Sequence, residues 1–391
     1  MIKLEGASSV VTAILPRESD HEASAALYEN HGLGVMAWDA RGTLLQDQWW
    51  KRWVPPISPA KTMLQLLVPS NEVDNVERTI IQAANLDKQS TGAIYSTPCL
   101  QAYCGSGFDA WDQDWLGSGG ERAADQVASL SVIHCIVGHQ NSERVCKAAI
   151  QAGGHGPIVY YSEGRGLRDR LGWLRITKEH EKEVVSVIAE EEDADHIFEA
   201  MAHAGSMHLP GRGFMYRLPI AKGMFNLRSQ ATLHHHDASM QQVISAIDHL
   251  AGHRHWRDSH VVNVSGNGRA AGLKDISPLV ALNNQVCLTT LCQRDDATLL
   301  MDIMLEAGAT GLNFNYSRYR DEHDVVEGRG SHLSKEYASL RCITHADTAE
   351  EICQLMGAAS VEERVSDFCA YLVKASRVAT YVPGKRDYRA A

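Results

Sequence analysis

Two fixed spacings recur three times along the chain and limit what it can fold into. A short β-type run is followed 24 positions later by a glycine that closes an apolar helical stretch, at Val10 and Gly34, Val132 and Gly156, and Cys287 and Gly311. A further apolar run begins 29 positions after each of these glycines, at Met63, Val185 and Leu340. Recurrence at a fixed separation is the signature of an internal repeat, so the chain is predicted to contain three related units.

Each unit is predicted to have the order β-α-β-β-α-β. In the second unit, LSVIHCIVG predicts a strand, Asn141 or Ser142 caps a helix that reaches about Gly153, and PIVYYSE predicts the second strand. After a long loop, EVVSVIAEE is the third strand, a helix runs from about Asp193 to Gly205, and FMYRLPIA is the fourth strand. This order predicts the α+β class, with three tandem ferredoxin-like (βαββαβ) units whose antiparallel sheet carries two helices on one face.

The predicted domain limits are 7–104 for the first unit, 129–230 for the second and 284–384 for the third. A connector at 231–280 is rich in histidine and contains one amphipathic helix that begins after Asp237. A Trp-rich loop at 49–53 is predicted either to pack on a neighbouring unit or to bind a partner.

Composition excludes several classes of function. The formal net charge of −11 and a pI near 5.9 argue against a nucleic-acid partner or an anionic membrane surface. No apolar run approaches the roughly 18 residues of a membrane span, so membrane insertion is not expected. The nine cysteines include no CxxC pair and most lie in apolar segments. Reduced, buried thiols in a cytoplasmic protein explain them best.

Arginine recurs on loops framed by glycine. The stretch SEGRGLRDRLG spans 162–172, a second GRG lies at 211–213, and EGRG returns at 327–330. Glycine lets the backbone approach a ligand closely, and arginine offers a fork of donors to phosphate or carboxylate. The pattern predicts anion-binding loops, with ordinary solvated turns as the alternative.

The second unit resembles the PII signal-transduction family of trimeric ferredoxin-like sensors. The stretch AGGHGPIVYYSEGRGLRDRLG is similar to the approach to the family's T-loop, and LPGRGFMYRLPI is similar to its glycine-rich B-loop and last strand. The resemblance implies that an adenine nucleotide (ATP, ADP or AMP) binds in a cleft between neighbouring units. The implied ligand-binding residues are Gly164, Arg165, Gly166, Arg168, Gly211, Arg212, Gly213 and Arg228. A weaker match in the third unit adds Arg329 and Gly330.

The chain departs from the family pattern at several of these positions. Asp169 stands near the position of the family's T-loop glutamine, and Phe214 replaces its B-loop lysine. Arg212 replaces the acidic residue usual in the B-loop, and no tyrosine lies between Gly164 and Glu183. These departures argue against 2-oxoglutarate sensing and against uridylylation of the T-loop.

The resemblance also implies how the units assemble and what they regulate. PII subunits pack around a threefold axis, so three units in one chain predict an intrachain pseudo-trimer, with a higher oligomer as the alternative. The family likeness implies control of a partner protein, a transporter or a metabolic enzyme, through the T-loop.

Three other functions stay open. A CutA-like protein would bind a divalent metal through the connector residues His234, His235 and His236. A structural or scaffold protein would have lost its ligand clefts. An enzyme is not expected, because the chain has no G-x-S-x-G, P-loop, HExxH or Rossmann glycine pattern in the right context, although a hydrolytic activity is the residual alternative.

Overall fold

The computed structural model describes residues 2–5, 7–43, 59–88, 92–105, 130–139, 141–166, 181–209, 211–225, 284–320, 336–362, 364–366 and 368–380. The predicted connector at 231–280 and the Trp-rich loop at 49–53 lie outside these ranges. The described residues form six α-helices and sixteen strands, and every described strand pairing is antiparallel. The structure therefore confirms the α+β class.

The first segment contains six strands and two helices. They are β1 (Ile2–Glu5), β2 (Ser8–Pro16), α1 (Asp20–His31), β3 (Val35–Gly42), β4 (Ala60–Pro69), α2 (Val73–Ala83), β5 (Ala93–Pro98) and β6 (Gln101–Cys104). In α2, Val73, Val76 and Ile80 recur at helical spacing and are buried, so this face packs against the sheet.

The second and third segments repeat the element order of β2 to β6. The second contains β7 (Leu130–Gly138), α3 (Ser142–Gln151), β8 (His155–Gly166), β9 (Glu181–Glu190), α4 (Glu191–Ala204), β10 (Gly213–Ile220) and β11 (Lys222–Phe225). The third contains β12 (Gln285–Gln293), α5 (Ala297–Glu306), β13 (Gly311–Arg320), β14 (Glu336–His345), α6 (Ala346–Val361), β15 (Cys369–Lys374) and β16 (Arg377–Thr380).

Within each segment the four long strands have the same spatial order: fourth, first, third, second. The orders are β5-β2-β4-β3, β10-β7-β9-β8 and β15-β12-β14-β13. The order places the second strand and the fourth strand at opposite edges of each four-stranded unit.

The central strands are buried on both faces, which explains why their sequences are continuously apolar. Along β7, Ile133, Cys135 and Val137 pack with the helices of their own segment. The alternate residues Val132 and Ile136 pack in a cluster that also contains residues of the first and third segments. The three sheets therefore carry helices on one face and pack against one another on the other.

Short closing strands link the segments in a cycle. We use this term for β6, β11 and β16, each of which follows the last long strand of its segment. Strand β11 pairs with β5 of the first segment, β16 pairs with β10 of the second, and β6 pairs with β15 of the third. Each segment thus receives a strand from one neighbour and gives a strand to the other.

The second strands form a cycle at the opposite edge. The end of β3 pairs with the start of β8 through Arg41 and Val159, and the end of β8 pairs with the start of β13 through Gly166 and Gly311. The end of β13 returns to the start of β3, where Arg320 pairs with Val35. Both edges of each four-stranded unit are therefore hydrogen-bonded to neighbouring segments.

The predicted spacing of 29 residues is wrong by one position in the first segment. The equivalent residues of the first strands are Val10, Val132 and Cys287, and they pair with Leu67, Ile188 and Ile343. These residues lie 33, 32 and 32 positions after Gly34, Gly156 and Gly311, so the first segment has one additional residue between its second and third strands. Because the third strands are apolar on both faces, their sequences do not show which face each residue occupies.

Replacement of Gly213 should destabilise the protein strongly. Gly213 has a φ of +140°, and a Cβ at this position would overlap the carbonyl oxygen of Ile136 on the paired strand. We expect Gly213→Ala to lower the free energy of unfolding in urea by about 3 kcal/mol or more, since conformational strain and steric overlap act together. Gly32→Ala is the control, because its φ is +65° and no atom lies within 4 Å. The control should lose about 1 kcal/mol, and equal losses would contradict the steric explanation.

Candidate functional site

The two glycine–arginine loops of the second segment lie at the same end of the strands in its sheet. In the order β10-β7-β9-β8, each strand is antiparallel to its neighbour. The end of β8 at Gly166 and the beginning of β10 at Gly213 therefore lie at the same end of the strands, although β8 and β10 are the two outer strands of the unit. Across the sheet, three strand spacings of about 4.8 Å, or roughly 14 Å, separate β8 from β10. Gly213 is level with Tyr161 in the strand ladders, so Gly166 lies five residues further along β8, which adds about 16 Å in the strand direction.

The loop at 211–213 is shaped by its glycines. Gly211 has a φ of +74° and Gly213 a φ of +140°, values that favour glycine. Arg212 between them is exposed. The third segment borders this loop, because β16 ends at Thr380 directly opposite Phe214. The loop therefore lies where the second and third segments meet.

The base of the other loop is anchored to the third segment. Gly164, Arg165 and Gly166 pair with Asn313, Leu312 and Gly311 in the ladder between β8 and β13. The side chain of Arg165 is held by α5, where its Nη2 donates to Asp302 Oδ1 at 2.8 Å. The positive charge of Arg165 already faces a carboxylate, so a ligand here would meet mainly the glycine backbone.

Arg165 is one of three arginines that reach from the end of a second strand to the next segment. Arg320 on β13 donates from both Nη atoms to Asp20 of α1, at 3.1 and 2.8 Å. Arg41 on β3 donates from Nη2 to Ser142 Oγ and to Glu183 Oε1, both at 3.0 Å. Together the three ion pairs join the segments in a cycle.

Sequence reasoning missed the roles of Arg41 and Arg320. The repeat would have identified Arg320 as the equivalent of Arg165. Arg165 lies nine positions after Gly156, and Arg320 lies nine positions after Gly311. Arg41 lies seven positions after Gly34, so a spacing of nine residues does not identify it.

A buried polar cluster surrounds Glu183 at the base of the long loop in the second segment. Ser142 Oγ donates to Glu183 Oε2 at 2.6 Å, and Arg41 contacts the other carboxylate oxygen. His139 Nδ1 lies 3.9 Å from Glu183 Oε1, and its ring stacks on the exposed ring of Tyr161. The cluster fixes the end of β7, the start of α3 and the start of β9 relative to one another.

Several predicted residues lie outside the described part of the chain. These are Arg168, Arg228, Arg329 and Gly330, together with the candidate metal ligands His234, His235 and His236. Within the described residues, no group of three or more His, Cys, Asp or Glu side chains is arranged to hold a metal ion.

The cysteines offer no activated nucleophile at this site. All nine are free and buried. Burial raises the pKa of Cys146 to about 11 and that of Cys353 to about 12, so both are protonated thiols at neutral pH.

Comparisons with known proteins give only distant likenesses. No protein-family profile matches the chain, and no curated protein sequence matches it. Among solved structures, it is similar to Arabidopsis thaliana PII bound to citrate, with 20% identity and a TM-score of 0.23 over 28% of this chain and 92% of that chain. It is also similar to an anthrone oxidase-like protein, with 10% identity and a TM-score of 0.17 over 58% of this chain and 98% of that chain.

No described helix is both long and apolar enough to cross a bilayer.

Loss of the Arg320 guanidinium should weaken the contact between the third and first segments. Arg320→Gln would leave the buried Asp20 carboxylate with Thr62 as its remaining described side-chain partner. We expect the free energy of unfolding in urea to fall by about 2–3 kcal/mol, somewhat less than for a fully buried pair. Arg364→Gln is the control, because both members of its pair with Glu362 are more than half exposed. The control should change stability by less than about 1 kcal/mol, and a similar loss in both variants would contradict this role for Arg320.

Proposed function

We propose that the chain is a PII-like regulatory protein. Its three segments are three tandem ferredoxin-like domains that close into an intrachain pseudo-trimer. An adenine nucleotide or another small anion binds in the cleft between the second and third segments. The bound ligand changes how the T-loop that follows Gly166 contacts a partner protein, a transporter or a metabolic enzyme.

The cyclic pairing of the segments is the observation that carries the proposed pseudo-trimer. Each segment gives its closing strand to one neighbour and receives one from the other, and the second strands are paired around the same cycle. A closed arrangement of this kind needs no second chain to cover the sheet edges.

The position of the two loops supports the ligand cleft. Gly164 and Gly166 are held against β13, and the loop at 211–213 lies beside the end of β16. Both loops are therefore bordered by the third segment, and both lie at the same end of the strands of the second. Exposed Arg212 adds a guanidinium fork, which suits a phosphate or carboxylate group.

The proposed cleft is tested by ligand-dependent thermal stability. A ligand that binds the native state adds about 2.7 kcal/mol at 100 times its dissociation constant. We expect ATP, ADP or AMP to raise the melting temperature of the purified chain. Arg212→Ala should weaken the binding of that nucleotide at least tenfold, since a charge-assisted hydrogen bond contributes roughly 1.5–3 kcal/mol.

The matched control for this experiment is Arg78→Ala. Arg78 is an exposed arginine on α2 whose Nη1 contacts only a neighbouring side chain of the same helix, Asn75, at 3.5 Å. The control should bind the nucleotide like the wild type. Equal weakening in both variants, or the absence of a shift with all three nucleotides, would contradict the proposed site.

The proposed pseudo-trimer predicts that a single chain is a complete unit. Sedimentation equilibrium should give a mass near 43.0 kDa at micromolar concentration. A dimer or trimer of chains under the same conditions would show that the sheets need a second copy, and would contradict the self-contained arrangement.

A further inference from the structure

A cavity lies where the inner faces of the three sheets meet. Its wall includes one tyrosine from the fourth strand of each segment: Tyr95, Tyr216 and Tyr371. These tyrosines occupy equivalent positions, since they pair with Thr12, His134 and Thr289 of the first strands. The cavity therefore lies at the centre of the cycle of segments, away from the loops at 164–166 and 211–213.

One buried arginine lines this cavity. Arg341 on β14 is 6% exposed. Its Nη1 donates to Tyr160 Oη at 3.0 Å and to Asn315 Oδ1 at 3.4 Å, and its Nη2 contacts Gln65 Oε1 at 3.5 Å. Its guanidinium lies 5.6 Å from the ring centroid of Trp38. All of these partners are neutral.

No negative charge balances Arg341 in the described wall of the cavity. The lining residues include neither aspartate nor glutamate. Burial, with a contribution from Arg341, lowers the pKa of His134 to about 3, so its imidazole is neutral. Burial also raises the pKa of the Tyr371 hydroxyl above its usual value, so it keeps its proton. An uncompensated buried charge is costly, and a bound counter-ion removes that cost.

Two further hydrogen-bond donors near Arg341 have no partner in the part of the chain that the structure describes. Trp38 Nε1 and Asn315 Nδ2 are buried without a hydrogen bond among the described residues. Trp38 lines the cavity, and the amide oxygen of Asn315 already accepts from Arg341. An indole N–H and an amide NH₂ only donate. A group in the cavity that accepts hydrogen bonds suits Trp38, and the uncompensated charge of Arg341 favours a negative one.

The size of the cavity limits the anion. Its volume is about 40 Å³, whereas one buried water needs roughly 10–15 Å³ on the same measure. We infer that the cavity is a binding site for a small, singly charged oxyanion with a planar XO₂ group, such as formate, acetate, nitrate or bicarbonate. Arg341 binds the anion through its guanidinium fork, and the indole N–H of Trp38 donates a further hydrogen bond.

Anion titration of thermal stability tests this site. The purified full chain is exchanged into a buffer whose only anion is a bulky organic sulfonate, and formate, acetate, nitrate or bicarbonate is then added. We expect at least one of them to raise the melting temperature saturably. Arg341→Gln should abolish this response, and Trp38→Phe, which keeps a ring but removes the N–H, should weaken binding about 2- to 10-fold.

The matched control is Arg294→Gln. Arg294 also lies over a tyrosine ring, 4.4 Å from the centroid of Tyr316, but its side chain is half exposed. The control should respond to the anion like the wild type. An unchanged saturable response in Arg341→Gln, or no response to all four anions in the wild type, would overturn the inference.

A second measurement covers the case in which Arg341→Gln does not fold. Crystals of the wild type grown in bromide should show an anomalous peak beside Arg341 and Trp38. A cavity without such a peak, together with an unchanged titration in Trp38→Phe, would overturn the site. Nucleotide binding should persist in Trp38→Phe and be weakened in Arg212→Ala, so failure of the proposed nucleotide cleft is separable from failure of the anion site.

Discussion

Exchange of edge strands between neighbouring segments is the interaction on which the rest of the structure depends. A four-stranded sheet has two edges with unpaired backbone N–H and C=O groups, and exposed edges promote aggregation. Here each fourth strand is covered by a closing strand from a neighbour, as β10 is by β16. Each second strand is covered by the second strands of the other segments. The inner sheet faces are thereby brought together, which creates the central cavity.

The order of elements could be predicted because local patterns encode it. Asn141 precedes α3, which begins at Ser142, and the repeated glycines Gly156 and Gly311 lie at the beginning of second strands, as the spacing of 24 indicates. The register of the third strands could not be predicted, because residues such as Leu66 and Leu67 are both fully buried and present no polar alternation.

The site was predictable only in part. The glycine–arginine motifs predicted Arg165 and Arg212, and the structure puts their loops at the same end of the strands of one sheet. It also shows that Arg165 is engaged by Asp302, a contact between segments that no local pattern encodes. Arg341 was not predicted, because LRCITH has the pattern of a buried strand and its partners Gln65 and Tyr160 are remote in sequence. Long-range packing alone identifies it.

A single arginine in the cavity wall, Arg341, is possible because the three segments belong to one chain. Gln65, Ser186 and Arg341 occupy equivalent positions, since each pairs with the inward-facing residue of its own first strand, Thr12, His134 or Thr289. Three identical subunits would place either three guanidinium groups or none around a common axis, and three like charges at close range repel strongly. Covalent fusion of the segments removes that restriction. It allows a single positive charge in a cavity wall that the three segments otherwise build with equivalent tyrosines, so one side of the wall differs chemically from the other two.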